Sequence, residues 1–170
     1  MHPPQLQDVL FFLELASRRI LFTACSEHPG GAWAAQQARN LAWALQAAEI
    51  RRRFLIHDRD ANFPAAFDAV FRAEGLEIIW TPVRAPERWV SSVRCECWTR
   101  VLDSLLIVSR RHLEAVLAEY VEHYNVHRPH RSLELRPPRG PTLIPAATSG
   151  EVVRRTRVHG LISEYSRQAA

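Results

Sequence analysis

Two acidic residues in this chain stand where carboxylates can work on a phosphate. Phe54-Leu55-Ile56-His57-Asp58-Arg59-Asp60 reads as a buried strand that delivers Asp58 at its end. Glu87 follows Pro86 and opens an amphipathic stretch, Glu87-Arg88-Trp89-Val90. Further on, Tyr124-Asn125-Val126-His127-Arg128-Pro129-His130-Arg131 gathers arginine and histidine. A carboxylate at a strand end, a second at a helix start and arginines around both suit a metal-dependent site acting on phosphates. Plainer roles remain open beside this one. Asp58 and Asp60 also suit a turn or a helix cap, and Glu87 suits a first-turn acid set against the helix dipole.

These residues need elements to hold them. Val9–Leu15 is an apolar run of strand length, Arg18-Arg19 breaks it, and Ile20–Cys25 reads as a second strand, so residues 9–25 form a predicted β-hairpin. After His28-Pro29-Gly30-Gly31, residues 32–50 carry Trp33, Ala38, Leu41, Leu45 and Ala48 at helical spacing. A strand over 53–58 comes next. Asn62 is the expected cap of a helix over about 64–74 with Phe63, Phe67, Val70 and Phe71 on its core face, ended by Gly75. Leu76–Trp80 reads as a strand, Pro82 and Pro86 bracket a loop, and helices are expected over about 87–97 and, capped by Ser109, over about 109–124. Beyond Pro137-Pro138 the chain turns rich in Pro, Gly and Thr, and residues 138–155 read as a tail or linker, with Gly160–Tyr165 docking as a last short element.

The chain has 170 residues, enough for one domain with a substantial core. Its formal net charge of +4 makes a polyanionic partner plausible, and every basic residue is arginine, which binds phosphate bidentately. Cys25, Cys95 and Cys97 are too few and too oddly placed for a disulfide framework. The N-terminus lacks the pattern of a signal peptide, and no stretch has the roughly 18 apolar residues that span a bilayer, so a reducing, cytoplasmic home and no membrane partner are expected. His123, His127 and His130 show metal-like spacing but have no well-placed fourth ligand for zinc. Cys95 and Cys97 point about 200° apart on a helix, against a shared ion. The five tryptophans read mostly as core, with Trp89 the exception that could stack on a base.

In this order, the stretch from Gly31 to Leu41, the strand ending at Asp58, the Thr81–Pro86 loop, Glu87-Arg88-Trp89-Val90 and the Tyr124–Pro137 segment resemble the catalytic core of DDE transposases and retroviral-type integrases. Within that group the chain looks most like bacterial insertion-sequence transposases. The resemblance covers roughly residues 9–138 and implies an α/β fold: a ribonuclease H-like mixed sheet flanked by helices. It implies a core-like domain over 1–138 and an extended C-terminal tail over 139–170. It also implies chemistry. Three carboxylates hold two divalent ions, Mg²⁺ or Mn²⁺, which activate water or a 3′-hydroxyl for attack on a DNA phosphodiester. Asp58 matches the second carboxylate and Glu87 the third, both as metal ligands. Arg88, Trp89, Arg128, His130 and Arg131 fall where relatives approach DNA. A homo-oligomer is a possible further partner.

The chain departs from this pattern in two ways. The second and third carboxylates of such cores stand about 35 positions apart so that both reach one metal pair, whereas here the separation is 87 − 58 = 29. Six helical residues amount to about 9 Å of rise, and Mg–O bonds tolerate little misplacement. The first strand, with the first carboxylate, is expected to be missing, since Asp8 does not occupy the matching place. The reading is therefore of a truncated, internally deleted transposase core, impaired in catalysis. One alternative is an active enzyme that completes its triad from Asp8, Glu14 or a partner subunit. Another is a non-catalytic nucleic-acid-binding remnant.

Overall fold

A computed structural model of the protein describes residues 8–81, 105–140 and 151–167. They fall into two compact units: residues 8–10 with 24–81, and residues 11–23 with 105–140 and 151–167. Strand β1 (Asp8–Leu13) pairs with β2 (Ile20–Ser26), as the hairpin pattern predicts. The Glu14 N–H donates to Arg19 O at 2.8 Å and closes the connection, which is too short for anything but an antiparallel return.

In the first unit, α1 (Gly31–Ala47) packs on α2 (Ala65–Ala73), and β3 (Phe54–His57) pairs in parallel with β4 (Glu77–Trp80). Helix α1 forms because its residues are mostly strong helix formers, Ala, Gln and Leu. Its buried face is Ala34, Ala35, Ala38, Leu41 and Ala42, turned from the expected stripe, so that Ala48 and Trp43 are exposed. Small residues on that face let helices approach closely. A Cβ on Gly31 would come 2.8 Å from Pro64 Cγ, so only glycine admits the contact there. Helix α2 buries Phe67 and Phe71 as predicted, and Gly75 at φ +80° ends it. The expected cap is corrected: Pro64, not Asn62, is the N-cap, and no side chain caps the helix. Pro64 needs no such bond, because its fixed φ already suits a helix start.

The second unit is built on α3 (Arg110–Glu122), which starts where Ser109 Oγ accepts the His112 N–H, the predicted cap. Leu113, Val116, Leu117 and Tyr120 form its buried stripe. One turn of π-helix (His123–His127) follows, closed by Arg128 N–H donating to His123 O at 2.9 Å. Pro129 then forces Arg128 into extended backbone and ends the helix. The extra residue in the wide turn brings Tyr124 and Asn125 inward, and both are buried.

Residues 152–167 are not an extended tail. They form an antiparallel hairpin, β5 (Val152–Arg157) and β6 (Ile162–Arg167). Its tip is anchored: Val158 is fully buried, and His159 meets His112 edge to face with ring centroids 5.3 Å apart. Val158 holds φ +51°, a left-handed value that costs a β-branched residue on the order of 1–3 kcal/mol. Burial of the side chain offsets that strain.

The described strands make three separate two-stranded sheets and no single mixed sheet. The α/β character of the expected fold is present. Among the described residues, no helix is long and apolar enough to cross a membrane. The expected helix over 87–97, with Glu87, Arg88, Trp89, Cys95 and Cys97, lies outside the described residues, as does Trp98.

Candidate functional site

Asp58 follows β3 directly, at the carboxyl end of the parallel β3–β4 pair, where open α/β sheets place ligands. Its side chain is exposed. Asp58 Oδ1 accepts the Asp60 N–H at 3.3 Å, and Asp60 Oδ1 accepts the Asn62 N–H at 2.9 Å, so two successive Asx turns fix the loop. The turn role and the ligand role are therefore compatible.

The strand end is locked from behind by a polar network that sequence reading missed. His57 is buried with Nε2 2.8 Å from Asp68 Oδ1 and Nδ1 2.6 Å from the Asp58 carbonyl oxygen. Both facing atoms are oxygens, so the imidazole is held from two sides. Asp68 is also buried, and its Oδ2 accepts from Arg72 at 3.1 Å. Phe63 and Phe67 pack edge-on against the imidazole at 5.2 and 5.5 Å. The only sequence signal was an acid on the face of α2 that carries Phe67 and Phe71.

Beside this end of the sheet, the guanidinium groups of Arg59 and Arg72 lie 5.7 and 5.9 Å from the Trp80 ring. Trp80 is 47% exposed and Trp43 74% exposed, so neither is the core residue expected. Tryptophan between two guanidinium groups makes a flat, cationic surface suited to phosphate and base.

Hard cations need several oxygen ligands. Asp58 offers the right donor chemistry at an open edge. Among the described residues no three His, Cys, Asp or Glu side chains are grouped to hold a metal, and Glu87, the matching third carboxylate, lies outside them. Asp8 is exposed at the first residue of β1, and Glu14 accepts from Ser17 Oγ in the hairpin loop.

In the other unit the Tyr124–Pro137 segment folds back on itself, with His130 N–H donating to Arg136 O at 3.2 Å. The Arg128 guanidinium lies 5.3 Å from the Tyr124 ring, and the His130 ring meets that tyrosine edge-on at 4.8 Å. Arg131 is exposed. The three predicted DNA-facing residues of this segment are thus neighbours, and the β1–β2 loop adds a fourth. Arg18 Nε donates to Ser132 Oγ at 3.2 Å. Burial and then the charges of Arg128 and Arg18 hold the His130 imidazole below its ordinary 6.5, against a hydrogen bond to the Tyr124 backbone. His130 is thereby biased toward the neutral form, and the positive charge of this surface is arginine's.

Two of the three histidines at metal-like spacing, His123 and His127, meet a carboxylate. His123 Nδ1 lies 2.8 Å from Glu164 Oε1, His127 Nε2 lies 3.8 Å from Oε2, and Arg157 Nε donates to Oε2 at 3.2 Å. Glu164 comes from β6, 41 residues beyond His123, and nothing local in the sequence signals the pairing. Burial pushes its carboxyl up. The His123 and Arg157 hydrogen bonds, with the charges of His127 and Arg157, outweigh this and hold it below 4.5. A carboxyl depressed on folding contributes stability that is present above pH 4.5 and is lost as pH falls through the folded value. His130, also depressed, acts in the same direction below 6.5. Acid melts of the chain are therefore expected to lose stability first below pH 6.5 and again below 4.5. Glu164→Gln is expected to flatten only the lower step, as read by thermal midpoint against pH.

Comparison with known families finds one match over part of this surface. Residues 85–138, about a third of the chain, match the family model described as integrase core domain. No curated protein and no solved structure matches the chain. The resemblance to a DDE-type integrase or transposase core thus holds over a segment that includes Glu87 and the Arg128–Arg131 cluster.

Proposed function

We propose, from the integrase-core match across residues 85–138, that this chain is a DDE-type transposase or integrase core acting on DNA in integration and transposition, impaired in catalysis. The observation that carries the reading is that match, continued upstream by a strand that ends in Asp58 at the carboxyl edge of a parallel pair. The wider architecture would be ribonuclease H-like. Asp58 and Glu87 would hold Mg²⁺ or Mn²⁺, which supplies Lewis-acid activation of the phosphodiester and of its attacking oxygen. The chain's own residues do the rest. The His57–Asp68 pair fixes the backbone at Asp58. Arg88, Trp89, Arg128, His130 and Arg131 bind the DNA, with Arg18 beside the last three.

Impairment follows from spacing. Only 29 positions separate Asp58 from Glu87, and Pro86 restricts how the intervening loop can compensate. The test is a strand-transfer and nicking assay on transposon-end DNA with Mg²⁺ or Mn²⁺, run beside binding at low salt. The expected result is salt-dependent duplex binding, weakened in Arg128→Gln/Arg131→Gln, with strand transfer at background. Cleavage or joining that disappears in Asp58→Ala would instead establish an active enzyme completing its triad from Asp8, Glu14 or a second subunit.

A further inference from the structure

We propose that the outer face of the C-terminal hairpin is a second DNA-contact surface, outside the matched segment, in which Arg154 and Arg167 hold phosphates and Tyr165 stacks on a base. This rests on DNA being the partner, as proposed above.

The two faces of the hairpin differ in kind. Alternation along β5 puts Val152, Arg154 and Thr156 on one side. The register pairs them with Arg167, Tyr165 and Ser163, which share that side. All of these except Ser163 are exposed, and none is acidic. The opposite side carries the half-buried Val153, Arg157, Ile162 and Glu164, with Arg155 and Ser166 exposed on it. Glu164, the hairpin's acid, is taken up by His123 and Arg157 on that inner side. Folding therefore separates the charges, leaving the outer face cationic.

The outer face is also held in place. Val158 is buried at the tip, and the Glu164 cluster pins the middle of β6. On the outer side itself, Arg154 Nε donates to Ser163 Oγ at 3.2 Å, and Tyr165 is the cross-strand neighbour of Arg154. Tyr165 is 68% exposed, unusual for a large ring in a strand. An exposed aromatic sharing one face of a fixed ribbon with two arginines matches what a polyanion with stacking rings needs: bidentate phosphate contacts and a flat surface. With two arginines and no acid on this exposed face, charge complementarity favours the nucleic acid.

The test is fluorescence anisotropy of the full chain with labelled duplex and single-stranded oligonucleotides of one mixed sequence, across a salt series. Arg154→Gln/Arg167→Gln is expected to weaken duplex binding roughly tenfold at low salt. It should also flatten the slope of log Kd against log salt by about two, one for each lost phosphate contact. Tyr165→Ala is expected to weaken single-strand binding roughly tenfold and duplex binding little. The charge-matched control Arg39→Gln/Arg110→Gln is expected to change binding far less. Circular dichroism and the thermal midpoint confirm that each variant is folded.

Unchanged binding in both hairpin variants, while Arg128→Gln/Arg131→Gln still weakens it, would overturn this inference and leave the proposed function standing. An equal loss in the control pair would also overturn it, since net charge alone would then be read. Failure of the wild-type chain to bind either DNA at low salt would bring down the proposed function and this surface together.

Discussion

Asp68→Ala is expected to destabilise its unit by about 1–3 kcal/mol, the loss that follows when a buried hydrogen-bonding group is left without its partner. That is a large share of the roughly 5–15 kcal/mol that holds a domain folded. The argument lies in who depends on Asp68. Its Oδ1 serves His57 Nε2 at 2.8 Å, its Oδ2 serves Arg72 at 3.1 Å, and its side chain is only 6% exposed. Without it, the buried His57 nitrogen faces Phe63 and Phe67, which offer no acceptor. Arg72 loses little, because it is half-exposed and water replaces its partner. Asp68→Asn separates the contributions, since an amide oxygen can still accept from His57 and the loss should fall to about half or less. Urea melts followed by circular dichroism measure both. A loss under about 1 kcal/mol in Asp68→Ala would mean that His57 finds another acceptor and that the strand end is not held this way.

Asp58 was legible because its strand announces itself. The apolar Phe54, Leu55 and Ile56 lead into it, and the charged residues that follow mark the strand's end. Ser109 and Gly75 were legible for the same local reason: caps and left-handed turns are written within a few residues. Asp68 was not. It reads as a solvated acid on an amphipathic helix, and only the approach of His57 makes burial tolerable. The hairpin of residues 152–167 was obscured differently. Val-Val-Arg-Arg-Thr-Arg shows no alternation of apolar and polar residues, because only one side of it packs and arginine occupies positions on both. Its strand character comes from the register with β6 and from Glu164 reaching His123, neither of which periodicity can show. Trp43 and Trp80 failed as core residues because small alanines fill the α1 interface and two arginines cover the Trp80 ring. The reading of Glu87, Arg88 and Trp89 stands on sequence and family match alone.

Asn125→Ala is expected to cost the second unit about 2–5 kcal/mol, because it strands two buried backbone groups at once. Asn125 Oδ1 accepts the Ile20 N–H at 2.9 Å, and its Nδ2 donates to Ile20 O at 3.0 Å. The side chain thus imitates a neighbouring strand, pairing with both polar atoms of one residue of β2. Ile20 and Asn125 are each nearly inaccessible, so water cannot readily take over. The clamp works only because the π-turn swings Asn125 inward. In an uninterrupted α-helix the same residue would point elsewhere. Asn125→Asp discriminates between packing and pairing. It keeps the volume and the acceptor for Ile20 N–H but sets a carboxylate against Ile20 O, so its loss should match or exceed that of alanine. Asn125→Gln keeps both groups on a longer arm and should restore little, because the bidentate fit fixes the reach. If hydrogen exchange at the Ile20 amide is no faster in Asn125→Ala than in wild type, the clamp is not what closes β2 against the helix end. The position of Arg18, and with it the cationic surface beside His130, would then need another explanation.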